Sequence, residues 1–217
     1  TVATAAASAG VGRLLHISAL GAADDSESKY ARSKAVGEAA VREAYPDATI
    51  IRPATVFGPE DKFFNLFALI ASLSPVMPLL GGGHNRMQPV YVGDVAKAMA
   101  ALLRDEAPVG GTYELGGPQV LTMAELMVMV CEQTGRNRLP VPLPYALAKV
   151  YAFFLQLTPW HILTVDQVEL LKSDNVVSGD LPGLADLGVT PTALAAVLPG
   201  YLHRYRKAGR LPSIEQA

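Results

Sequence analysis

Apolar positions along this chain switch between a helical and an extended period, and the switches lay out an alternating α/β order. Thr1–Ala9 is alanine-rich and predicts the end of a helix, which Gly10 stops. Arg13-Leu-Leu-His-Ile-Ser18 predicts a short buried strand. A polar loop follows. From Ser28 to Tyr45, Tyr30, Lys34, Val36, Ala40 and Val41 recur at helical spacing, and Pro46-Asp47 ends the run. Ala48-Thr-Ile-Ile-Arg52 predicts a second buried strand. A strand, a helix and a second strand joined by short links are the mark of a parallel sheet.

Beyond a loop at Pro53–Glu60, Phe63–Leu73 predicts an apolar helix. Gly81-Gly-Gly83 predicts a tight turn, and Gln88–Val92 a short strand. Asp94 is placed to cap a helix that turns Val95, Met99, Leu102 and Leu103 inward; a cap is the preferred reading over a catalytic acid. Thr112–Leu115 predicts another strand. Thr122-Met-Ala-Glu125 and Thr164-Val-Asp-Gln167 are capping boxes that open helices. Further helices are expected at Tyr145–Leu157 and Thr192–Tyr205, with Pro191 suited to a first helical turn. The second half is the more helical, and is expected to pack as a lobe on the sheet.

Composition narrows the function classes. Half of the 217 residues are hydrophobic, 18% are charged and mean hydropathy is +0.25, which excludes intrinsic disorder. Eighteen Lys and Arg offset 20 Asp and Glu, with no basic block, so nucleic-acid binding has no electrostatic support. A single cysteine, Cys131, excludes an internal disulfide and, in an apolar run, is expected to be a small core hydrophobe. The most apolar stretch, Val141–Val165, is broken by three prolines and polar residues, so no membrane span is expected. His161 and His203 lack acidic or cysteine partners at ligand spacing, so no metal site is expected.

The chemistry centres on Ser18, Tyr30 and Lys34. At i and i+4 on a helix, Tyr30 and Lys34 share a face. An ammonium beside a phenol favours the phenolate, which suits Tyr30 to acid–base work on a carbonyl or alcohol oxygen. Ser18 closes an apolar strand at its carboxyl end, where open parallel sheets place ligands. A packing Tyr and a solvated Lys remain the alternative. The same spacing recurs at Tyr145 and Lys149, where no strand with a terminal Ser precedes it.

Ser18 with Tyr30-Ala-Arg-Ser-Lys34 resembles the Ser and Tyr-x-x-x-Lys of the short-chain dehydrogenases/reductases. Arg52-Pro-Ala-Thr-Val-Phe-Gly58-Pro59, Gln88-Pro-Val-Tyr-Val-Gly-Asp94 and Tyr113-Glu-Leu-Gly-Gly117 resemble motifs of their extended and atypical branches. Lys34–Pro46, Phe57-Gly-Pro-Glu-Asp-Lys-Phe-Phe-Asn65, Thr164–Leu171 and Leu184–Gly188 are similar to the NAD(P)H-binding accessory subunits of respiratory complex I (NADH:ubiquinone oxidoreductase) and their bacterial relatives. The likeness runs from about Val11 to Arg206.

That resemblance implies an α/β fold: the C-terminal half of a Rossmann-type parallel sheet with a mostly helical second lobe. Residues 1–60 and 93–117 would belong to the dinucleotide-binding domain, and 61–92 and 118–217 to the lobe. No glycine-rich strand-to-helix turn is present; Gly10-Val-Gly12 precedes a strand and is expected to cap a helix. The resemblance places that turn in about a hundred residues upstream, so the isolated chain is expected to aggregate.

A bound NADPH or NADH is implied, with Ile17, Ser18, Ala19, Tyr30, Lys34, Pro53, Ala54, Thr55 and Val56 around it. The implied role is an accessory, structural one among the other subunits of complex I, on the matrix or cytoplasmic side of the respiratory membrane. Two alternatives stand. One is a free NAD(P)-dependent epimerase, dehydratase or reductase, with Tyr30 as acid/base, Lys34 lowering its pKa and Ser18 positioning the substrate oxygen. The other is a module that senses nicotinamide redox state. His16 is expected to be structural, and His84 either solvated or in contact with substrate. Arg86 resembles a position that holds substrate phosphates in the extended enzymes. The stripe Leu147, Val150, Tyr151, Phe154, Leu155 and Leu157 is expected in the core; contact of 145–165 with a subunit or a membrane surface is the alternative. The tail 201–210, with His203, Arg204, Arg206, Lys207 and Arg210, is expected to be solvated or to meet anionic lipid or an acidic neighbour.

Overall fold

The computed structural model describes residues 2–104, 108–156 and 163–206; Leu157, His161, Lys207 and Arg210, singled out above, lie outside them. In chain order the elements are α1 (Val2–Ser8), β1 (Leu15–Ile17), α2 (Lys29–Ala44), β2 (Thr49–Pro53), β3 (Val56–Phe57), α3 (Phe63–Leu73), β4 (Val76–Leu80), β5 (Arg86–Met87), β6 (Val90–Tyr91), α4 (Val92–Leu102), β7 (Thr112–Leu115), β8 (Leu121–Thr122), α5 (Met123–Thr134), β9 (Leu139–Leu143), α6 (Tyr145–Leu155), α7 (Val165–Leu170) and α8 (Leu194–Leu202). They form two compact units: 1–56 with 87–120 and 175–192, and 57–86 with 121–174 and 193–217.

The first unit holds a parallel three-stranded sheet in the order β1-β2-β7. Leu15 pairs with Thr49, Ile17 with Ile51, Ile50 with Thr112 and Pro53 with Leu115. The expected parallel sheet is therefore present. Ile50, Ile51 and Leu115 are wholly buried, as strands covered on both faces must be. Ile51, Val90, Ala98, Leu102, Leu115 and Leu184 belong to one core cluster. Ser28 caps α2 through its side chain, which accepts the Ala31 N–H. Gly10, at φ +63°, closes α1, with the Val11 N–H on Ala6 O, so Gly10 is the helix cap expected.

Asp94 differs from expectation. Tyr91 occupies the N-cap of α4, and Asp94 lies in the first turn, fully buried. Its carboxylate accepts the Thr192 N–H at 2.6 Å, the Thr192 hydroxyl at 3.1 Å and the Lys97 ammonium at 3.0 Å. The residue ties a distant loop to the helix start, where the helix dipole favours an anion.

In the second unit α3, α5 and α8 pack together over Phe64, Phe67, Leu126, Val130 and Leu198. Both capping boxes form, at Thr122/Glu125 and Thr164/Gln167. Strands β4 and β9 pair in parallel, Val76 with Leu139 through Leu80 with Leu143. Neither was expected: each carries proline, which reads as a break, yet on an edge strand a missing N–H goes unnoticed. Gly81–Gly83 form a 3-10 turn with all three φ positive, the tight turn foreseen. Helix α8 starts at Leu194, so Pro191 does not sit in its first turn.

Two expectations for this unit need correction. Helix α6 buries the small side chains of Ala148 and Ala152 and leaves Leu147, Val150, Tyr151 and Phe154 more than half exposed, so the stripe is not core. Arg204 donates to Pro59 O at 3.2 Å and Arg206 to Gln133 O at 2.7 Å, so these two side chains are bound to the unit rather than freely solvated. Among the described residues no helix is long and apolar enough to cross a membrane.

Candidate functional site

The site lies in the first unit, at the carboxyl ends of β1 and β2. Register sets it up. Ser18 follows β1, its N–H on Ile51 O at 2.7 Å, and Leu20 N–H reaches Pro53 O at 3.0 Å. Ile17, Ser18 and Ala19 thus run beside Pro53 and Ala54, and the Ala54 N–H is held by Leu115 O at 2.9 Å. Lys34 connects this edge to α2. Its ammonium donates to Ile17 O at 3.3 Å and lies 5.6 Å from the centre of the Tyr30 ring. Ser18, Lys34 and Tyr30 are therefore brought to one edge, as their spacing predicted.

Ser18 is 3% exposed; its Oγ lies beside the Glu38 carboxylate and completes no hydrogen bond of good geometry. Tyr30 is 45% exposed, and burial of the rest pushes its phenol above the usual value.

Beneath them is a charged pair that sequence reasoning missed. Arg52 donates from Nε and Nη2 to the two oxygens of Glu38, at 2.8 and 2.7 Å. Burial opposes the charge on Glu38, but the guanidinium prevails and holds its carboxyl below the usual range. The signals were there: Glu38 is one turn beyond Lys34 on the same helix face, and Arg52 is a charge inside an apolar strand. His16, on the same strand as Ser18, packs against Gly37, and burial followed by the Lys34 charge lowers its pKa.

The loop after β2 is fixed from afar. Asn175 Oδ1 accepts the Thr55 N–H at 2.7 Å and the Thr55 hydroxyl at 3.0 Å, while Thr55 O accepts the Val90 N–H. No local signal in the sequence marks Asn175. Arg86, in the second unit, is engaged by Asp174, which accepts its N–H at 2.7 Å and its Nε at 2.8 Å and is itself held below the usual carboxylate range by those bonds. His84 follows the Gly81–Gly83 turn.

The family model for the NAD dependent epimerase/dehydratase family matches residues 1–116. The chain is 39% identical, over 92% of its length, to the mitochondrial NADH dehydrogenase (ubiquinone) 1 alpha subcomplex subunit 9 of Arabidopsis thaliana, covering 52% of that protein. It is 40% identical, over 94% of its length, to the protein of that name in Mus musculus, covering 55% of it. The chain thus spans about half the length of the curated relatives it matches. Among solved structures, a dTDP-glucose 4,6-dehydratase from Streptomyces venezuelae with NAD bound superposes with a TM-score of 0.65 at 21% identity, covering 96% of this chain and 66% of that one. That likeness fixes the fold as Rossmann-type α/β. With the model covering more than half of its length, the chain belongs to the NAD dependent epimerase/dehydratase family.

Proposed function

We propose that this protein is an NAD(P)H-binding accessory subunit of respiratory complex I, in which the nucleotide holds the fold rather than turning over. The observation that carries this reading is the 39–40% identity, across 92–94% of the chain, to plant and mouse proteins named as subunits of NADH dehydrogenase. The site is compatible with a nicotinamide nucleotide. Ser18 sets a buried hydroxyl at the carboxyl end of β1, and Tyr30 and Lys34 share one face of α2, with the Lys34 ammonium on Ile17 O. In this reading Tyr30 and Lys34 hold the nicotinamide ribose. Pro53, Ala54, Thr55 and Val56 line the nicotinamide, and Ile17, Ser18 and Ala19 also contact the cofactor. The cofactor is NADPH or NADH.

The partners are then the other complex I subunits, and the place is the surface of the respiratory membrane, facing the matrix or the cytoplasm. The exposed face of α6 within 145–165 and the tail 201–210 are the candidate membrane-surface contacts in this reading. Solubilising membranes in mild detergent and resolving them on a native gel tests it. The protein should migrate with a large NADH-oxidising complex and release a nicotinamide nucleotide on denaturation. Recovery only in the soluble fraction overturns the proposal.

The complete Ser18, Tyr30 and Lys34 set favours a second reading, a free NAD(P)-dependent epimerase, dehydratase or reductase. Here the nucleotide supplies or accepts hydride when bound, Tyr30 exchanges a proton with the substrate oxygen and Ser18 orients that oxygen. A soluble dimer that loses turnover on Tyr30→Phe is the outcome that favours it.

A further inference from the structure

Helix α5 ends at Gly135, whose φ of +63° turns the chain back toward β9. The helix end is closed by its own loop, with the Gly135 N–H on Glu132 O and the Arg136 N–H on Cys131 O. Strand β9 carries Pro140 and Pro142, so it does not extend the β4-β9 pair into a wider sheet, and all but its last residue are exposed. Between α5, β4 and β9 the second unit is left with a groove of about 480 Å³, inside the range of small-molecule sites.

Its walls and mouth differ in chemistry. Met77, Leu79, Met127 and Val128 supply apolar walls, with the Cys131 thiol among them. Arg136 and Arg138 are also among the lining residues. Arg138 spends Nε on Ala71 O at 2.7 Å, and Arg136 makes a long contact of 3.4 Å from Nη2 to Tyr205 O. The Arg136 Nε is buried and has no hydrogen-bond partner. Two arginines among the lining residues, against the single carboxylate of Glu132, give the lining net positive charge. The carbonyl end of α5 disfavours an anion, but its last carbonyls are already satisfied by the loop, and two full charges outweigh a partial one. No residue of the first unit lines the groove.

We infer that this groove binds a free fatty acid of medium length, its alkyl chain along Met77, Leu79, Met127 and Val128 and its carboxylate on Arg136 and Arg138. A carboxylate matches the planar fork of a guanidinium. Met side chains suit a flexible chain, since they repack around irregular apolar shapes.

Cys131 makes the test direct, because a ligand in the groove shields the thiol. Alkylation by N-ethylmaleimide, followed at Cys131 by peptide mass spectrometry, is measured in the full-length protein. Saturating decanoate should slow labelling about tenfold, while decanol should need about tenfold more ligand for the same protection, the share of one charge-assisted contact. Decylamine and butyrate should leave the rate unchanged. Arg138→Gln and Arg136→Gln should each erase the preference for decanoate over decanol, with unchanged circular dichroism. Equal protection by decanoate, decanol and decylamine overturns the proposal, as does no protection by any of them. Protection by anionic phospholipid vesicles but not by decanoate overturns it in favour of a membrane contact. The ligand comparison on the unaltered protein decides the matter even if an arginine variant fails to fold.

Discussion

Arg52 grips Glu38 with two parallel hydrogen bonds, joining the second strand of the sheet to the helix that carries Tyr30 and Lys34. The carboxylate side is 7% exposed and the guanidinium 26%. Glu38 follows Lys34 by one helical turn, and Ser18 lies beside it. The pair therefore sets the height of α2 over the strand end where the site is built.

Removing the cation should be worse than removing the pair. Arg52→Leu strands a buried carboxylate and should cost about 3 kcal/mol, whereas Arg52→Leu with Glu38→Leu should recover much of that loss. Chemical denaturation of the single and double variants measures both. The pH dependence has a definite sign. The folded-state pKa of Glu38 lies below its unfolded value, so its contribution is complete above the unfolded carboxylate range and is lost as pH falls through the folded pKa. An Arg52→Leu variant that keeps the same acid limb as the parent would show that the pair does not supply this stability.

Much of the fold was legible where its signals are local. Thr122/Glu125 and Thr164/Gln167 as boxes, and the apolar runs of β1 and β2, each depend on neighbours within four residues. Ser18, Tyr30 and Lys34 were legible because a helix period and a strand end sufficed to place them. What escaped depends on partners far along the chain. Asp94 read as a cap until Thr192, 98 residues on, claimed it. Asn175 reaches Thr55 across 120 residues. Strand β9 hid behind its prolines, and α6 misled because its period is helical while its buried face is alanine. Cys131, expected in the core, is half-buried at the groove because α5 ends one turn later.

Tyr201 donates its hydroxyl to Asp61 at 2.5 Å, and the same carboxylate accepts the Phe64 N–H at 2.6 Å at the start of α3. Asp61→Ala removes a helix-start acceptor and orphans a buried phenol, and should cost about 2–3 kcal/mol. Burial and the Asp61 charge push the Tyr201 pKa far above the usual range. The folded state thus favours the neutral phenol, a contribution present below the unfolded pKa and lost as pH rises above about 10. Thermal melts across that range should fall for the parent and run flatter for Tyr201→Phe.

Gly117 is required by contact and Gly179 by conformation, and the two should differ in cost. A Cβ on Gly117 would lie 1.9 Å from Pro89 O, a backbone atom that cannot step aside. The segment is also tied down, with the Gly117 N–H on Gln88 O and Gln88 Nε2 on Gly117 O at 2.8 Å. Gly117→Ala should destabilise by about 3 kcal/mol or more. Gly179 has open space around it but a φ of +84°, so Gly179→Ala should cost about 1 kcal/mol. Urea titrations of the two variants compare them; equal costs would mean that the loop at Pro89 yields.

Tyr30→Phe and Lys34→Ala should separate holding a nucleotide from using one. Tyr30 is 45% exposed, so losing its hydroxyl should change stability by less than about 0.5 kcal/mol. Lys34 supplies the link between α2 and Ile17 O as well as the charge beside Tyr30. In an accessory subunit Tyr30→Phe keeps its place in the large complex and weakens nucleotide retention by about tenfold, the share of one hydrogen bond. Lys34→Ala removes two contacts of the proposed ribose site and should release the nucleotide on purification. In a free enzyme Tyr30→Phe retains the nucleotide and loses turnover by about two to four orders of magnitude, the usual contribution of a general acid. Measuring bound nucleotide and complex assembly on the same preparations distinguishes the two. Retained assembly with diminished nucleotide supports a structural cofactor, whereas full nucleotide with lost turnover assigns Tyr30 a chemical step.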